Sequence, residues 1–208
     1  MAEPRYPIPG ETTRIEIRVV NSRFIATIGE ARDADAARAF VERVRGEFSD
    51  ATHNVYAFRA GYGASVTEGM SDDGEPPGTA GRPALAVLRG ADLGYVALVV
   101  TRYFGGTKLG TGGLVRAYTQ AAQEALAALP RAERVSRRQG RLIVPYSFYE
   151  RTRNLVQERG GELVDEGFAA EVTLLISVPQ DEAAPLEAAL AALSSGGLQI
   201  EWSADEID

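Results

Sequence analysis

VVTRYFGGTKLGTGGLVRAY, residues 99–118, joins an apolar run to a glycine-rich stretch and then to a second apolar pattern. The apolar run lies between Gly94 and Gly105, which is typical of a strand buried on both faces. Residues 105–113 hold five glycines and predict a loop. A helix over 113–129 is predicted by one apolar stripe, which consists of Leu114, Tyr118, Ala121, Ala125 and Leu129. The segment therefore predicts a buried strand, a glycine loop (residues 105–113) and a helix.

The glycine loop has a composition suited to holding an anion. Backbone N–H groups at a helix start can bind an anion, and glycine lets that anion approach closely. The candidate binding residues here are Arg102, Tyr103, Gly105, Gly106, Lys108, Gly110, Gly112, Gly113 and Arg116. Their spacing matches neither the phosphate loop of ATPases nor the dinucleotide fingerprint of dehydrogenases. An equal alternative is that the glycines serve only tight packing and positive φ angles.

A second candidate site is EGMSDDGEPPGTAG, residues 68–81, which we call the acidic loop. Its glycines and prolines exclude a regular element, and it brings Asp72, Asp73 and Glu75 close to Glu68. Crowded carboxylates favour a cation, an arginine partner or a proton. The loop is therefore a solvated or structurally bonded segment, a partner-binding loop or a metal site. The acid that a calcium loop needs at its twelfth position is absent, and we predict no metal.

The single histidine, His53, begins a predicted strand over 53–60. Its pKa range suits a general base, but one histidine at a strand start is more often structural. We keep His53 as a binding candidate. The sequence has no cysteine and no zinc-protease or serine-hydrolase motif, so we assign no catalytic residue and no cofactor.

Composition indicates a globular protein with an acidic balance. Of the 208 residues 45% are apolar and 25% charged, and the net charge is −7. That balance opposes non-specific nucleic-acid binding, yet residues 101–123 contain no acid and residues 131–153 contain seven arginines. The sequence shows neither a signal peptide nor a membrane-spanning apolar run, so we expect a cytoplasmic location and no membrane partner.

The periodicity of the remaining sequence predicts an α+β protein with two domains. The N-terminal elements are strands at 12–20 and 23–31, a helix capped by Asp33, a strand at 53–60, a short strand at 64–67 and a helix at 83–89. The C-terminal elements are strands at 141–146, 162–166, 169–178 and 198–202, a helix at 148–159 and a helix at 182–193 capped by Asp181. That second order, βαββαβ, is the ferredoxin-like unit. We expect domains at 1–132 and 141–208, with a linker at 133–140.

SDDGEPPGTAGRP (71–83) and VVTRYFGGTKLGTGGLVRAY (99–118) closely resemble the signature of the IMPACT/YigZ family, and SRFIA (22–26) and His53-Asn54 match its flanking pattern. The resemblance covers residues 20 to about 130. It implies an N-terminal β-α-β domain like the second domain of small-subunit ribosomal protein five. It also implies a C-terminal domain similar to the last domain of elongation factor G.

The resemblance also carries a functional expectation. Eukaryotic members act in translational control by binding the activator of the amino-acid-starvation kinase, through an additional N-terminal domain that these 208 residues do not contain. We expect a non-enzymatic, translation-regulatory binding protein that contacts RNA or a ribosome-associated protein. One alternative is a metal- or phosphate-dependent hydrolase that uses the acidic loop. Another is a protein-only adaptor that uses the ferredoxin-like sheet.

Overall fold

A computed structural model describes residues 5–63 and 65–207, with side chains up to residue 203. The described chain falls into two compact units. Unit 1 comprises Tyr6–Arg134, and unit 2 comprises Arg5 and residues 135–207. Residues 1–4 of the predicted first domain and residue 64 of the predicted strand 64–67 lie outside the described residues. No helix in the described ranges is both long and apolar enough to cross a membrane.

Unit 1 is built on a five-stranded antiparallel sheet. Its elements are β1 (Arg5–Pro9), β2 (Thr13–Val19), β3 (Ser22–Glu30), α1 (Ala34–Glu47), β4 (His53–Tyr62), β5 (Ser65–Ser71), α2 (Gly81–Arg89), β6 (Val96–Tyr103), α3 (Gly110–Ala128) and β7 (Arg131–Val135). The strand order is β2-β3-β6-β4-β5, and β1 pairs with β7 in a separate two-stranded sheet. The antiparallel pairings place β6 at the centre, between β3 and β4.

The central strand β6 carries apolar side chains on both of its faces. Val96, Leu98 and Val100 belong to the core beneath α2 and α3. Ala97 and Val99 belong to a second core, which contains the buried face of α1. Because helices cover both faces, the strand has no solvent side, and this confirms the prediction of a doubly buried strand.

Unit 2 contains β8 (Arg137–Val144), α4 (Tyr146–Glu158), β9 (Glu162–Phe168), β10 (Val172–Pro179), α5 (Ala183–Ser194) and β11 (Glu201–Ile207). The four strands are antiparallel in the order β11-β8-β10-β9. One core cluster is formed by strand residues such as Leu174 and helix residues such as Leu186 and Leu190. The predicted βαββαβ element order is therefore confirmed.

Several local expectations need correction. Apart from Ser136, the stretch 133–140, expected to be a linker, lies in β7 and β8. Its polar side chains hid a strand, because β8 gains its backbone hydrogen bonds from β10 whatever its side chains are, and Arg138 is paired with Val178. The first residues of the acidic loop, 68–71, extend β5 along β4. No side chain caps α5, and Asp181 instead accepts a hydrogen bond from Arg5 at 3.0 Å.

Candidate functional site

Asp72 organises the acidic loop from within. Its carboxylate accepts hydrogen bonds from the backbone N–H groups of Gly78 (2.8 Å), Ala80 (3.0 Å) and Gly81 (2.8 Å). Burial alone would raise the pKa of Asp72, but the three N–H donors and the charge of Arg82 together outweigh it and leave the pKa below its ordinary value. The side chain therefore replaces the regular backbone pairing that this glycine- and proline-rich segment lacks.

Asp73 ties the acidic loop to α1 and to β4. It occupies the left-handed region with φ of 45°, and its carboxylate accepts from Arg45 Nη2 (2.8 Å) and from the backbone N–H of Asn54 (2.6 Å). Its carbonyl oxygen lies 2.7 Å from His53 Nδ1. Because a carbonyl only accepts, this contact assigns the proton to Nδ1 of His53. The histidine is thus held by the loop, and its Nε2 lies 3.9 Å from Glu75 Oε2.

Glu75 is the buried end of the acidic loop. Its Oε1 accepts from Arg102 Nη1 at 2.6 Å and from the Tyr118 hydroxyl at 2.8 Å. The side chains of Glu75 and Arg102 are only 4% and 5% exposed. Burial, and then the charge of Glu75, raises the pKa of Tyr118, so this hydroxyl stays a proton donor. Arg102, one of the candidate binding residues, is therefore paired with Glu75 inside the protein.

Strand register brings this cluster together. Arg102 on β6 lies opposite Phe24 on β3 and opposite His53 on β4, so the three residues form one row on the face covered by α3. Tyr118 of α3 packs edge-on against Phe24, with ring centroids 5.3 Å apart. A second guanidinium nitrogen, Arg102 Nη2, donates to Ser22 Oγ at 3.2 Å. Arg102 Nε is buried and has no hydrogen-bond partner within the described part of the chain.

The glycine loop uses its glycines for different reasons. A Cβ on Gly105 would lie 1.9 Å from the carbonyl oxygen of Asn21, so this position requires a close backbone approach. Gly106 and Gly110 have φ of 82° and 70°, which side-chain-bearing residues rarely adopt. At Gly112 a Cβ would meet nothing within 4 Å. The packing interpretation therefore holds for some of these glycines and leaves Gly112 without a steric explanation.

The acidic and glycine loops meet at one cavity of about 350 Å³. The residues that line it are Glu75, Pro76, Arg102, Phe104, Lys108, Leu109, Gly110, Thr111 and Leu114. Helix α3 begins at this cavity without a side-chain cap, after Leu109. The predicted candidates Glu75, Arg102, Lys108 and Gly110 thus come together.

Other predicted candidates lie away from the cavity lining. Asp72, Asp73 and His53 support the acidic loop from outside the cavity. The hydroxyl of Tyr103 donates to Asp50 at 2.6 Å, and that hydrogen bond raises the pKa of Tyr103. Arg116 is exposed on α3, and neither Gly112 nor Gly113 lines the cavity.

Sequence reasoning missed Phe104. Its side chain lines the cavity, yet the residue is 45% exposed. A large apolar residue directly after a buried strand and before two glycines was the available signal. Its backbone N–H donates to Thr52 Oγ1 at 3.0 Å, so its position is held from the neighbouring loop.

The described residues contain no group of three or more histidine, aspartate or glutamate side chains arranged to hold a metal ion. The fourth carboxylate of the acidic loop, Glu68, is also engaged, with Arg59 at 3.0 Å and Arg89 at 2.6 Å. The hydrogen bond from Arg89 in particular lowers the pKa of Glu68. Each acid of the loop therefore already has donors from the protein.

Residues 20–126 match the Impact N-terminal domain, and residues 142–196 match a domain of unknown function, DUF1949. The chain belongs to the IMPACT family. An IMPACT family member from Haemophilus influenzae is 36% identical over 202 residues, covering 97% of each chain. The IMPACT family member YigZ from Escherichia coli is 37% identical over 194 residues, covering 93% of this chain and 95% of that protein.

A solved structure shares the architecture of this IMPACT-family chain. It is described as the crystal structure of a hypothetical protein, is 37% identical, and aligns with a TM-score of 0.70 over 95% of this chain and 97% of its own. The first domain match falls within unit 1 and the second within unit 2. All residues that line the cavity lie inside the Impact N-terminal match.

Proposed function

We propose that this IMPACT-family protein is a non-enzymatic binding protein associated with translation, and that the glycine loop contacts the phosphate backbone of RNA. The observation that supports the proposal is that acidic and basic side chains around the cavity differ in whether they have partners within the protein. The carboxylates of the acidic loop are occupied by donors of the protein itself, whereas the cations of the glycine-loop segment are not.

Lys108 and Arg116 are the unoccupied cations. Both are exposed, and neither makes an ion pair within the described ranges. Each acid of the loop, in contrast, accepts from arginines, a tyrosine or backbone N–H groups. Glu68, Asp73 and Glu75 are paired with arginines, whereas Asp72 is bonded to backbone N–H groups and keeps its charge. Lys108 and Arg116 are thus left without a paired carboxylate, and we expect their segment to attract anions despite the net charge of −7.

The start of α3 adds to this attraction. Its first N–H groups have no intrahelical acceptor, and the helix dipole favours a negative group at this end. Gly112 leaves open space above the first turn. A phosphate oxygen is the anionic group that RNA presents, and phosphate contacts of this kind supply most non-specific affinity.

The expected likenesses of the two units agree with this role. We propose that unit 1 resembles the second domain of small-subunit ribosomal protein five, and that unit 2 resembles the last domain of elongation factor G. The two-domain division, the cytoplasmic location and a ribosome-associated protein as partner belong to the same proposal. The hydrolase alternative has less support, because donors of the protein already engage each carboxylate of the acidic loop.

A salt titration of RNA binding tests the proposal. Fluorescence anisotropy with a labelled single-stranded RNA should show binding at low salt that weakens as salt rises. Lys108→Ala and Arg116→Ala should each reduce the slope of log K against log salt by about 0.7. Arg18→Ala removes the same charge at a 77% exposed side chain on β2 and should leave the slope nearly unchanged. Absence of binding by the wild-type protein at low salt contradicts the RNA assignment.

A further inference from the structure

The cavity between the two loops has an apolar wall and a cationic rim. Pro76, Phe104, Leu109 and Leu114 supply the wall, and Lys108 stands at the rim beside the start of α3. Small-molecule sites combine these features, because apolar surface holds the ring of a ligand and a few polar groups orient it.

We propose that this cavity binds one unstacked nucleotide, with its base against Phe104 and its phosphate between Lys108 and the first turn of α3. The inference rests on the proposed function and specifies which part of the RNA the protein recognises, namely a single nucleotide. Contact with the phosphate alone would make this an anion site. Recognition of the base is what makes it a nucleotide site.

The exposed aromatic ring supports the base side of this site. Phe104 remains 45% exposed although it lies in a cavity with Leu109 and Leu114. The guanidinium carbon of Arg102 lies 5.5 Å from the centre of the Phe104 ring, which holds that ring at the cavity. Every base has a π face, so stacking on such a ring tolerates different sequences.

The floor of the cavity supports the anionic side. Arg102 lines the cavity, and its buried Nε has no hydrogen-bond partner among the described residues. Glu75 also lines the cavity, but two donors already bind its Oε1. Lys108, Gly110 and Thr111 complete the lining where α3 begins. Lys108 and the free N–H groups at the start of α3 therefore supply the donors that suit a phosphate.

The size of the cavity limits what it can hold. Its volume of about 350 Å³ lies at the small end of ligand sites, which span roughly 300–1,000 Å³. One nucleotide is therefore the expected occupant, and neighbouring nucleotides would remain outside. Arg116 would then contact the flanking backbone.

The test compares ring variants in the full chain by RNA anisotropy. Phe104→Leu keeps an apolar side chain and removes the π face, so it should weaken RNA binding roughly 5- to 100-fold. Phe104→Tyr keeps an aromatic ring and should bind RNA as tightly as the wild-type protein. The matched control is Phe168→Leu, because Phe168 is a 59% exposed aromatic residue in unit 2 and should have no effect. Wild-type affinity in Phe104→Leu overturns the inference and leaves the proposed function intact.

A second measurement separates base recognition from anion binding. Amide chemical shifts of Gly110, Thr111 and Gly112 are followed by NMR while uridine monophosphate, inorganic phosphate or uridine is added. The monophosphate should bind at least about 5-fold more tightly than phosphate. Equal affinity overturns the nucleotide assignment. Monophosphate binding without RNA binding would support the cavity assignment and overturn the RNA function.

Discussion

Glu75→Gln is the sharpest test of the cluster beneath the cavity. The substitution keeps the shape of the side chain and an acceptor oxygen for Tyr118, but removes the charge that faces Arg102 at 2.6 Å. Both charged side chains are about 95% buried, so water can replace the lost partner only poorly. Breaking such a pair on one side typically costs about 3–5 kcal/mol in the free energy of unfolding. That is a large part of the total for a domain, which is about 5–15 kcal/mol.

The measurement is urea denaturation combined with hydrogen exchange. Urea is uncharged and does not screen the ion pair. Peptides from β6 and from β8 report units 1 and 2 separately, and the single tryptophan, Trp202, gives an independent optical signal from unit 2. Glu75→Gln should lower the free energy of unfolding measured on β6 by about 3–5 kcal/mol.

Two further variants decide how the result is interpreted. Glu42→Gln breaks an ion pair with Arg45 on α1 in which the acid is 70% exposed, and it should cost about 0–1 kcal/mol. Combining Glu75→Leu with Arg102→Met removes both charges. The double variant should therefore be less destabilised than the Glu75→Gln variant. A cost for Glu75→Gln no greater than that for Glu42→Gln would refute the description of Glu75 and Arg102 as a desolvated pair.

Three other expectations follow from local geometry. Gly105→Ala places a Cβ 1.9 Å from a backbone oxygen, so a thermal melt should show no stably folded unit 1. Gly112→Ala fills open space on a helix and should raise the free energy of unfolding of unit 1 by up to about 1 kcal/mol. The lowered pKa of Asp72 contributes stability above the ordinary aspartate pKa of 3.8 and loses it as pH falls through the folded value, so the destabilisation by Asp72→Asn in urea titrations should be largest near neutral pH and shrink below about pH 4. Gly140→Ala would bring a Cβ to 2.7 Å from the Trp202 ring and should shift its fluorescence; an unchanged spectrum contradicts that packing.

Much of the fold could be predicted because its signals are local. Asp33 caps α1 and accepts from the N–H of Ala36 at 2.7 Å, as the sequence predicts. The apolar run of β6 and the element order of unit 2 are likewise visible in hydrophobic periodicity. Strand β1 escaped prediction because two of its five residues are prolines and its partner β7 is distant in sequence. Strand β7 and the arginine-rich start of β8 escaped because their side chains are largely polar and their pairing partners are distant in sequence.

The sequence by itself determined a buried strand, a glycine-rich turn and a helix within residues 99–118, although the helix begins at Gly110 and so takes in the end of the predicted loop 105–113. It also identified the acidic loop as a place where carboxylates crowd. Only the tertiary structure decided which charges are free. Arg102 and Lys108 carry the same positive charge in the sequence. The register of β3, β6 and β4, however, buries Arg102 against Glu75, 27 residues earlier, and leaves Lys108 exposed. The reason is physical: the energy of a charge depends on its distance to partners and to water, and those distances exist only after the strands have paired.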